Sequence, residues 1–184
     1  MQLLASPAQL RASLLRWSLF IVPVVLGLGF LSGMLSGSGP RNPWFAGLAM
    51  PSIYPPPIAF PVVWTLLYLL MGIALAMVLS ARGASGREAA FAVFAAQFIL
   101  NLAWSPVFFA LHKVTLAFGI IVALAVLVAA TMAVFARIRP LAAWLLAPYL
   151  AWVCFAAVLN WQIHQLNPGA DVQQESGAAV RMDL

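Results

Sequence analysis

Long apolar runs alternate with short polar breaks along the chain, and the runs have the length of membrane-spanning helices. Each run holds about 20 residues or more, enough for an α-helix to cross a hydrocarbon layer about 30 Å thick. The runs lack the every-second-residue alternation of outer-membrane barrel strands. We therefore predict one all-α membrane domain over 17–164, a five-transmembrane-helix bundle whose spans lie at about 17–36, 59–79, 90–109, 114–135 and 141–164.

Three segments lie outside these spans. Residues 1–16 are a short, weakly amphipathic leader, and residues 165–184 form a polar tail that we expect to be disordered. Residues 37–58 are rich in proline and cannot form a regular helix, yet they carry many apolar and aromatic side chains. We predict that this loop folds over one end of the bundle as a lid, although a loop resting on lipid headgroups would have a similar composition.

The third span carries a polar stripe. Gln97, Asn101 and Trp104 follow one another at steps of four and three, so they share one helix face. In hydrocarbon, two amides and an indole need partners in a neighbouring helix, a cavity or a ligand. The same span contains Pro106, which should bend it and free the carbonyl of Leu102.

Two further spans carry aromatic faces. Trp64 and Tyr68 share one face of the second span, and a similar series lies along the fifth. These side chains could be interfacial belt residues and amides that hold helices together. Together they also suit a flat, apolar, π-rich ligand with a few polar atoms. The fifth-span series is Tyr149, Trp152, Ala156 and Asn160.

The fourth span is almost wholly aliphatic, and we expect it to pack through small residues. Ala125, Ala129 and Ala133 recur at every fourth position, which places them in one seam. The only cysteine, Cys154, lies among apolar neighbours in the fifth span, so we expect a packed and inert thiol.

Charge and chemistry exclude several functions. The predicted spans contain no Asp, Glu, Lys or Arg, which argues against a proton relay or an ion-coupled carrier. His112 and His164 lack partners at metal-ligand spacing, and Ser105 has no recognisable histidine–carboxylate pair, so we predict neither a metal site nor catalytic residues. The net charge of +5 is scattered, which does not indicate nucleic-acid binding.

Basic residues flank the spans unevenly. The leader, second loop and fourth loop hold six, against three on the opposite side. The positive-inside rule then predicts a cytoplasmic N-terminus, with the first loop and the C-terminus on the opposite side. The six are Arg11, Arg16, Arg82, Arg87, Arg137 and Arg139, and the three are Arg41, Lys113 and Arg181.

Three stretches resemble a known family. They read AMPSIYPPPIAFPVVWTLLYLLMG, AAQFILNLAWSPVFF and PLAAWLLAPYLAWVCFAAVLNW. The patterns N-x-x-W-x-P-x-F-F and P-Y-x-x-W-x(6)-L-N within them are specific, and the similarity covers roughly residues 41–167. The chain resembles the TspO/MBR family, the tryptophan-rich sensory proteins related to the mitochondrial translocator protein.

The resemblance implies a five-helix bundle of the TspO/MBR type, often a homodimer in the bilayer, with a ligand pocket under the first loop. Family members bind porphyrins, sterols and synthetic benzodiazepine-site ligands. No cofactor is required, although a porphyrin or haem-like ligand would suit the pocket. The candidate ligand-binding residues that the resemblance implies are Trp44, Pro51, Trp64, Tyr68, Asn101, Trp104, Trp152, Ala156 and Asn160. To these the polar pattern adds Gln97 and Tyr149.

The chain departs from the family at informative places. Met50 stands where relatives usually carry a lysine that could pair with a porphyrin carboxylate, and Ile53 stands where they carry a tryptophan. Trp161 and Gln165 replace the tyrosine and the base of a sterol-recognition pattern. Our main hypothesis is a sensory or transport protein that binds tetrapyrroles, or sterol-like molecules of similar shape. The alternatives are a light-dependent porphyrin-degrading enzyme, and a structural or partner-binding protein with a vestigial pocket.

Overall fold

The computed structural model describes residues 7–171, which fold as a helical bundle without a strand in that range. Five stretches are long and apolar enough to cross a membrane, so the predicted fold class is confirmed. The helices are α1 (Pro7–Leu35), α2 (Pro43–Ala46), α3 (Ala59–Leu79), α4 (Arg87–Ser105, continued by a π-helical turn, Pro106–Ala110), α5 (Val114–Ile138), α6 (Pro140–Leu145) and α7 (Ala147–Leu166).

The first helix begins earlier than the sequence pattern indicates. Residues 7–16, assigned to a separate leader, form the first turns of α1, while residues 1–6 lie outside the described part. The segment AQLRASLLR is rich in Ala, Leu, Gln and Arg, which favour helix, and nothing in it interrupts the helix before the apolar run. The start of the apolar run at Trp17 therefore did not mark the start of the helix.

Two glycines bring α1 and α3 into close contact. A methyl group at Gly29 would overlap the Tyr68 ring, and one at Gly72 would lie 2.9 Å from the Val22 backbone. Gly37 has a different role, because it follows α1 in a left-handed conformation with a φ of 62°. Its N–H donates to the Met34 carbonyl, which closes the end of the helix in a Schellman-type turn.

The α-helix of the third span ends at Ser105, and a π-helical turn begins at Pro106. The proline cannot donate to the carbonyl four residues earlier, that of Leu102. The hydroxyl of Ser32 in α1 donates to this carbonyl at 2.6 Å. A side chain from a neighbouring helix thus satisfies the backbone group that the proline leaves free in the hydrocarbon region.

The last two spans differ from their predicted packing. The buried face of α5 is built from Ile121, Leu124, Val128 and their neighbours, whereas Ala129 and Ala133 are exposed, so the predicted alanine seam is wrong. On an all-apolar helix, periodicity gives no signal for the packed face. The fifth span is divided at Leu146 into α6 and α7, and Cys154 is exposed on α7 rather than packed.

The residues after α7 are attached to the bundle. The Asn167 side chain accepts from the Ala49 N–H at 2.9 Å and donates to the Ala49 carbonyl at 3.0 Å. The Asp171 carboxylate accepts from the backbone N–H groups of Val114 and Thr115, which caps α5. The expected disorder is therefore wrong for residues 165–171, and residues 172–184 lie outside the described part.

Candidate functional site

The loop between α1 and α3 lies over one end of the bundle and is held there by side chains. Asn42 caps the short helix α2, because its Oδ1 accepts from the Phe45 N–H at 3.1 Å. Its Nδ2 donates to the Phe109 carbonyl at 3.1 Å, which connects α2 to the π-helical turn. Trp44 stacks on His112 with the ring centres 4.2 Å apart.

Beneath this loop lies a cavity of about 570 Å³. This volume falls in the range of about 300–1,000 Å³ that is typical of small-molecule sites. Helices α1, α3, α4, α5 and α7 contribute to its walls, together with the loop. The aromatic side chains that line it are Phe30, Phe45, Tyr54, Phe60, Trp64, Tyr68, Trp104, Phe108, Phe109 and Trp152.

A chain of hydrogen bonds forms the floor of the cavity. The Tyr68 hydroxyl donates to Asn101 Oδ1 at 3.1 Å, and Asn101 Nδ2 donates to the Tyr149 hydroxyl at 3.0 Å. Tyr149 then donates to Gln97 Oε1 at 3.0 Å. Tyr149 and Gln97 are 0% and 1% exposed, so these hydrogen bonds continue from the floor of the cavity into the buried core. Gln97 Nε2 is buried without a hydrogen-bond partner among the described residues.

A second polar pair fixes an indole in the wall. Trp104 Nε1 donates to Asn160 Oδ1 at 3.3 Å, and Asn160 Nδ2 donates to the Val114 carbonyl at 3.1 Å. The Trp104 ring also stacks on Phe108, with centres 5.0 Å apart and planes 18° apart. These contacts hold the flat indole in one orientation, which favours stacking against a flat ligand.

Comparison with known proteins identifies the family. Residues 20–166 match the TspO/MBR family. The chain belongs to the TspO/MBR family. Over 148 residues it is 39% identical to the tryptophan-rich protein TspO of Chlorobaculum tepidum, covering 80% of this chain and 93% of that protein. It is 38% identical over 144 residues to the translocator protein of Sus scrofa, covering 77% and 84% of the two chains. A tryptophan-rich sensory protein of Cereibacter sphaeroides is 38% identical over 124 residues, covering 67% and 77%.

In this TspO/MBR chain, the structure places seven of the eleven candidate residues on the cavity wall. Gln97 and Tyr149 lie behind the wall, where they continue the chain of hydrogen bonds from Asn101. Trp44 and Pro51 belong to the loop and contribute no cavity surface. The seven that line the cavity are Trp64, Tyr68, Asn101, Trp104, Trp152, Ala156 and Asn160.

Sequence reasoning missed several residues that shape the same site. Phe45 and Tyr54 line the cavity from the loop, and Phe60 lines it from the first turn of α3. Their position in an aromatic, proline-rich loop could have indicated this. Ser32 also lines the cavity, but its bond to the Leu102 carbonyl joins residues 70 positions apart, and no local pattern indicates such a contact.

The described wall of this TspO/MBR cavity carries neutral polar groups among aromatic rings. Burial raises the pKa of the Tyr54 phenol above its usual value, so this hydroxyl stays neutral and able to donate. Among the described residues, no group of three or more His, Cys, Asp and Glu side chains is placed to hold a metal ion. The described wall instead offers aromatic faces, amides and hydroxyls, which recognise shape and a small number of polar atoms.

Proposed function

We propose that this membrane protein binds a tetrapyrrole, or a sterol-like molecule of comparable shape, in the cavity under the loop, and that it acts as a sensory or transport protein. One observation carries the proposal. Asn101 and the indoles of Trp104 and Trp152 converge on a hollow that the protein's own side chains leave unfilled. An aromatic hollow of this volume is suited to a flat, apolar ring system.

The roles of the side chains follow from their positions. Trp104 and Trp152 stack on the ligand, and Asn101 supplies a polar contact from the floor. Trp44 and Pro51 act indirectly, because they order the loop that contributes Phe45 and Tyr54 to the wall. Relatives named tryptophan-rich sensory protein and translocator protein are consistent with a sensory or transport role.

Fluorescence titration tests the proposal. Protoporphyrin should quench tryptophan emission with a dissociation constant on the order of micromolar. Trp104→Ala and Trp152→Ala should each weaken the binding. Trp144→Ala is the matched control, because Trp144 is 73% exposed on α6 and does not line the cavity. No saturable quenching, or equal loss in the control, would contradict the proposal.

We also propose the orientation and assembly that the sequence predicts. The described basic residues of the α1 start, the α3–α4 connection and the α5–α6 connection lie at the end of the bundle opposite the loop. This end faces the cytoplasm under the positive-inside rule, and the protein forms a homodimer. Reporter fusions at the two termini test the orientation. The mass of the detergent-solubilised protein tests the homodimer.

A further inference from the structure

The wall of the cavity carries no charge. None of the described residues that line it is an aspartate, glutamate, lysine, arginine or histidine. The nearest basic residue along the chain is Arg41, which follows the lining residue Pro40 but is exposed and contributes no surface to the cavity. An ionised carboxylate that enters this cavity would lose its water without gaining a charged partner, which is unfavourable.

The polar groups of the wall are largely committed to one another. Asn101 accepts from Tyr68 and donates one of its two amide N–H groups to Tyr149, so one neutral N–H is left to contact a ligand. The other wall amide, Asn160, and the Trp104 indole N–H are likewise engaged, whereas the Trp64 and Trp152 indole N–H groups make no hydrogen bond among the described residues. The Ser32 and Ser38 hydroxyls donate to the backbone carbonyls of Leu102 and Gly33.

Two hydroxyls in the wall remain without a hydrogen bond among the described residues, those of Tyr54 and Ser105. Both are neutral donors, and each can serve a carbonyl oxygen of an uncharged ligand. Two neutral hydroxyls and two neutral indole N–H groups provide much less compensation for a buried carboxylate than a lysine or arginine would.

The opening of the cavity is largely apolar. Two large apolar lining residues are strongly exposed there, Met34 near the end of α1 and Ile58 just before α3, at 77% and 69% exposure, and the exposed Ser38 is a polar neighbour. Their exposure places the mouth between the end of α1 and the start of α3, on the flank of the bundle. Because Met34 and Ile58 lie at helix ends, the mouth lies near the lipid–water interface in a bilayer, where a lipophilic molecule that has partitioned into the membrane can reach it.

We infer that the cavity selects uncharged, flat lipophiles supplied from the bilayer, so that an esterified tetrapyrrole binds more tightly than the same ring with ionised propionates. The inference rests on the proposed binding function and specifies the ligand class of the same site. The charge-free wall, the committed amides and the apolar mouth each favour a neutral ligand.

The test compares protoporphyrin dimethyl ester with free-acid protoporphyrin. Each is titrated at pH 8 into the protein in nanodiscs of neutral lipid, and titration of Trp104→Ala and of empty nanodiscs corrects for partition into lipid. We expect the corrected dissociation constant of the ester to be lower by about tenfold or more. Equal or tighter binding of the acid would overturn the inference but leave the binding function intact. If neither compound quenches tryptophan emission in a Trp104-dependent way, the inference and the proposed binding function are both contradicted.

Two variants sharpen the comparison. Ile58→Lys places a cation at the mouth and should tighten acid binding relative to ester binding, so that the preference for the ester becomes smaller than in the wild type. Arg41→Gln should leave the ester-to-acid ratio as it is in the wild type, because Arg41 lies outside the wall. If the acid binds more tightly in the wild type and loses this advantage in Arg41→Gln, Arg41 holds the carboxylate and the inference is wrong.

Discussion

The half of the bundle near the α3–α4 connection has a solid core with only a surface pocket of about 270 Å³ beside Arg87, whereas the half beneath the loop contains a cavity of about 570 Å³. In the solid half, fully buried alanines such as Ala74 and Ala142 let helices approach, and aromatic rings fill the remaining space. Phe94 stacks on Phe98 and on Phe135 with ring centres 6.0 and 6.1 Å apart. Small side chains and stacked rings together give this core the close packing that is usual in protein interiors.

The cavity half is built from side chains that cannot fill it. Its walls carry rigid indoles and phenols, each held by a hydrogen bond or a ring contact, such as Trp104 on Asn160 and Phe108. Pro106 adds a π-helical turn, a form that often occurs at functional sites. The comparison shows that proline breaks, together with inward amides and aromatics, mark the part of a membrane bundle that is built around a hollow.

The largest expected effect is in the solid half. Phe94→Ala removes a ring that is 2% exposed and should lower the free energy of unfolding by about 3 kcal/mol, because the neighbours cannot close the void. Trp104→Ala, in the cavity half, should lower the free energy of unfolding by clearly less than Phe94→Ala does. It should, however, weaken ligand binding more than Phe94→Ala. Thermal unfolding in detergent measures both. Equal destabilisation by the two variants would remove the distinction between the halves.

The next effect concerns the boundary of the cavity. Gly29→Leu places a side chain where the Tyr68 ring lies and should destabilise the protein by about 2 kcal/mol, with weakened protoporphyrin binding. Gly27→Leu is the matched control, since a methyl group there has no neighbour within 4 Å. Similar loss of binding in both variants would contradict the assigned contact.

A smaller effect is expected at the junction of the two halves. Tyr149→Phe removes hydrogen bonds to Asn101 and Gln97 and should lower stability by about 1 kcal/mol. It should also weaken ligand binding, because Asn101 loses a contact that orients it. Tyr54→Phe removes a hydroxyl that makes no hydrogen bond among the described residues and should change stability by much less. A larger loss in Tyr54→Phe would contradict this account of the floor.

The smallest effect is expected at the π-helical bend. Ser32→Ala leaves the Leu102 carbonyl without its donor and should cost about 0.6 kcal/mol. Ser38→Ala is a suitable comparison, because its bond to the Gly33 carbonyl lies within the exposed turn after α1. Unfolding in a denaturing detergent should rank Ser32→Ala as the less stable variant. The reverse order would show that the bend needs no donor from α1.

The sequence predicted the parts of this structure that depend on local pattern. Apolar run lengths located the spans, and the spacing of Gln97, Asn101 and Trp104 identified the polar face of α4. The composition of residues 37–58 predicted the loop over one end, and the spacing of aromatic residues in the second and fifth spans predicted the opposing walls. Each of these predictions depends on residues that lie close together in the sequence.

Contacts between distant segments could not be predicted from pattern. The bond from Ser32 to Leu102 joins two helices, and the Asn167 contact with Ala49 spans 118 positions. The buried face of α5 was predicted wrongly because every face of that helix is apolar, so burial was decided by its neighbours. Such features depend on tertiary packing.

Protection of a thiol in the cavity tests the central claim most directly. The cysteine introduced by Ala156→Cys, in a Cys154→Ser background, lies in the cavity wall, whereas the native Cys154 is exposed on the same helix and lines no part of it. Saturating protoporphyrin should slow maleimide labelling of the cavity cysteine by about tenfold or more, while Cys154 in the wild type reacts at an unchanged rate. Equal labelling rates with and without protoporphyrin at position 156 would contradict binding in this cavity.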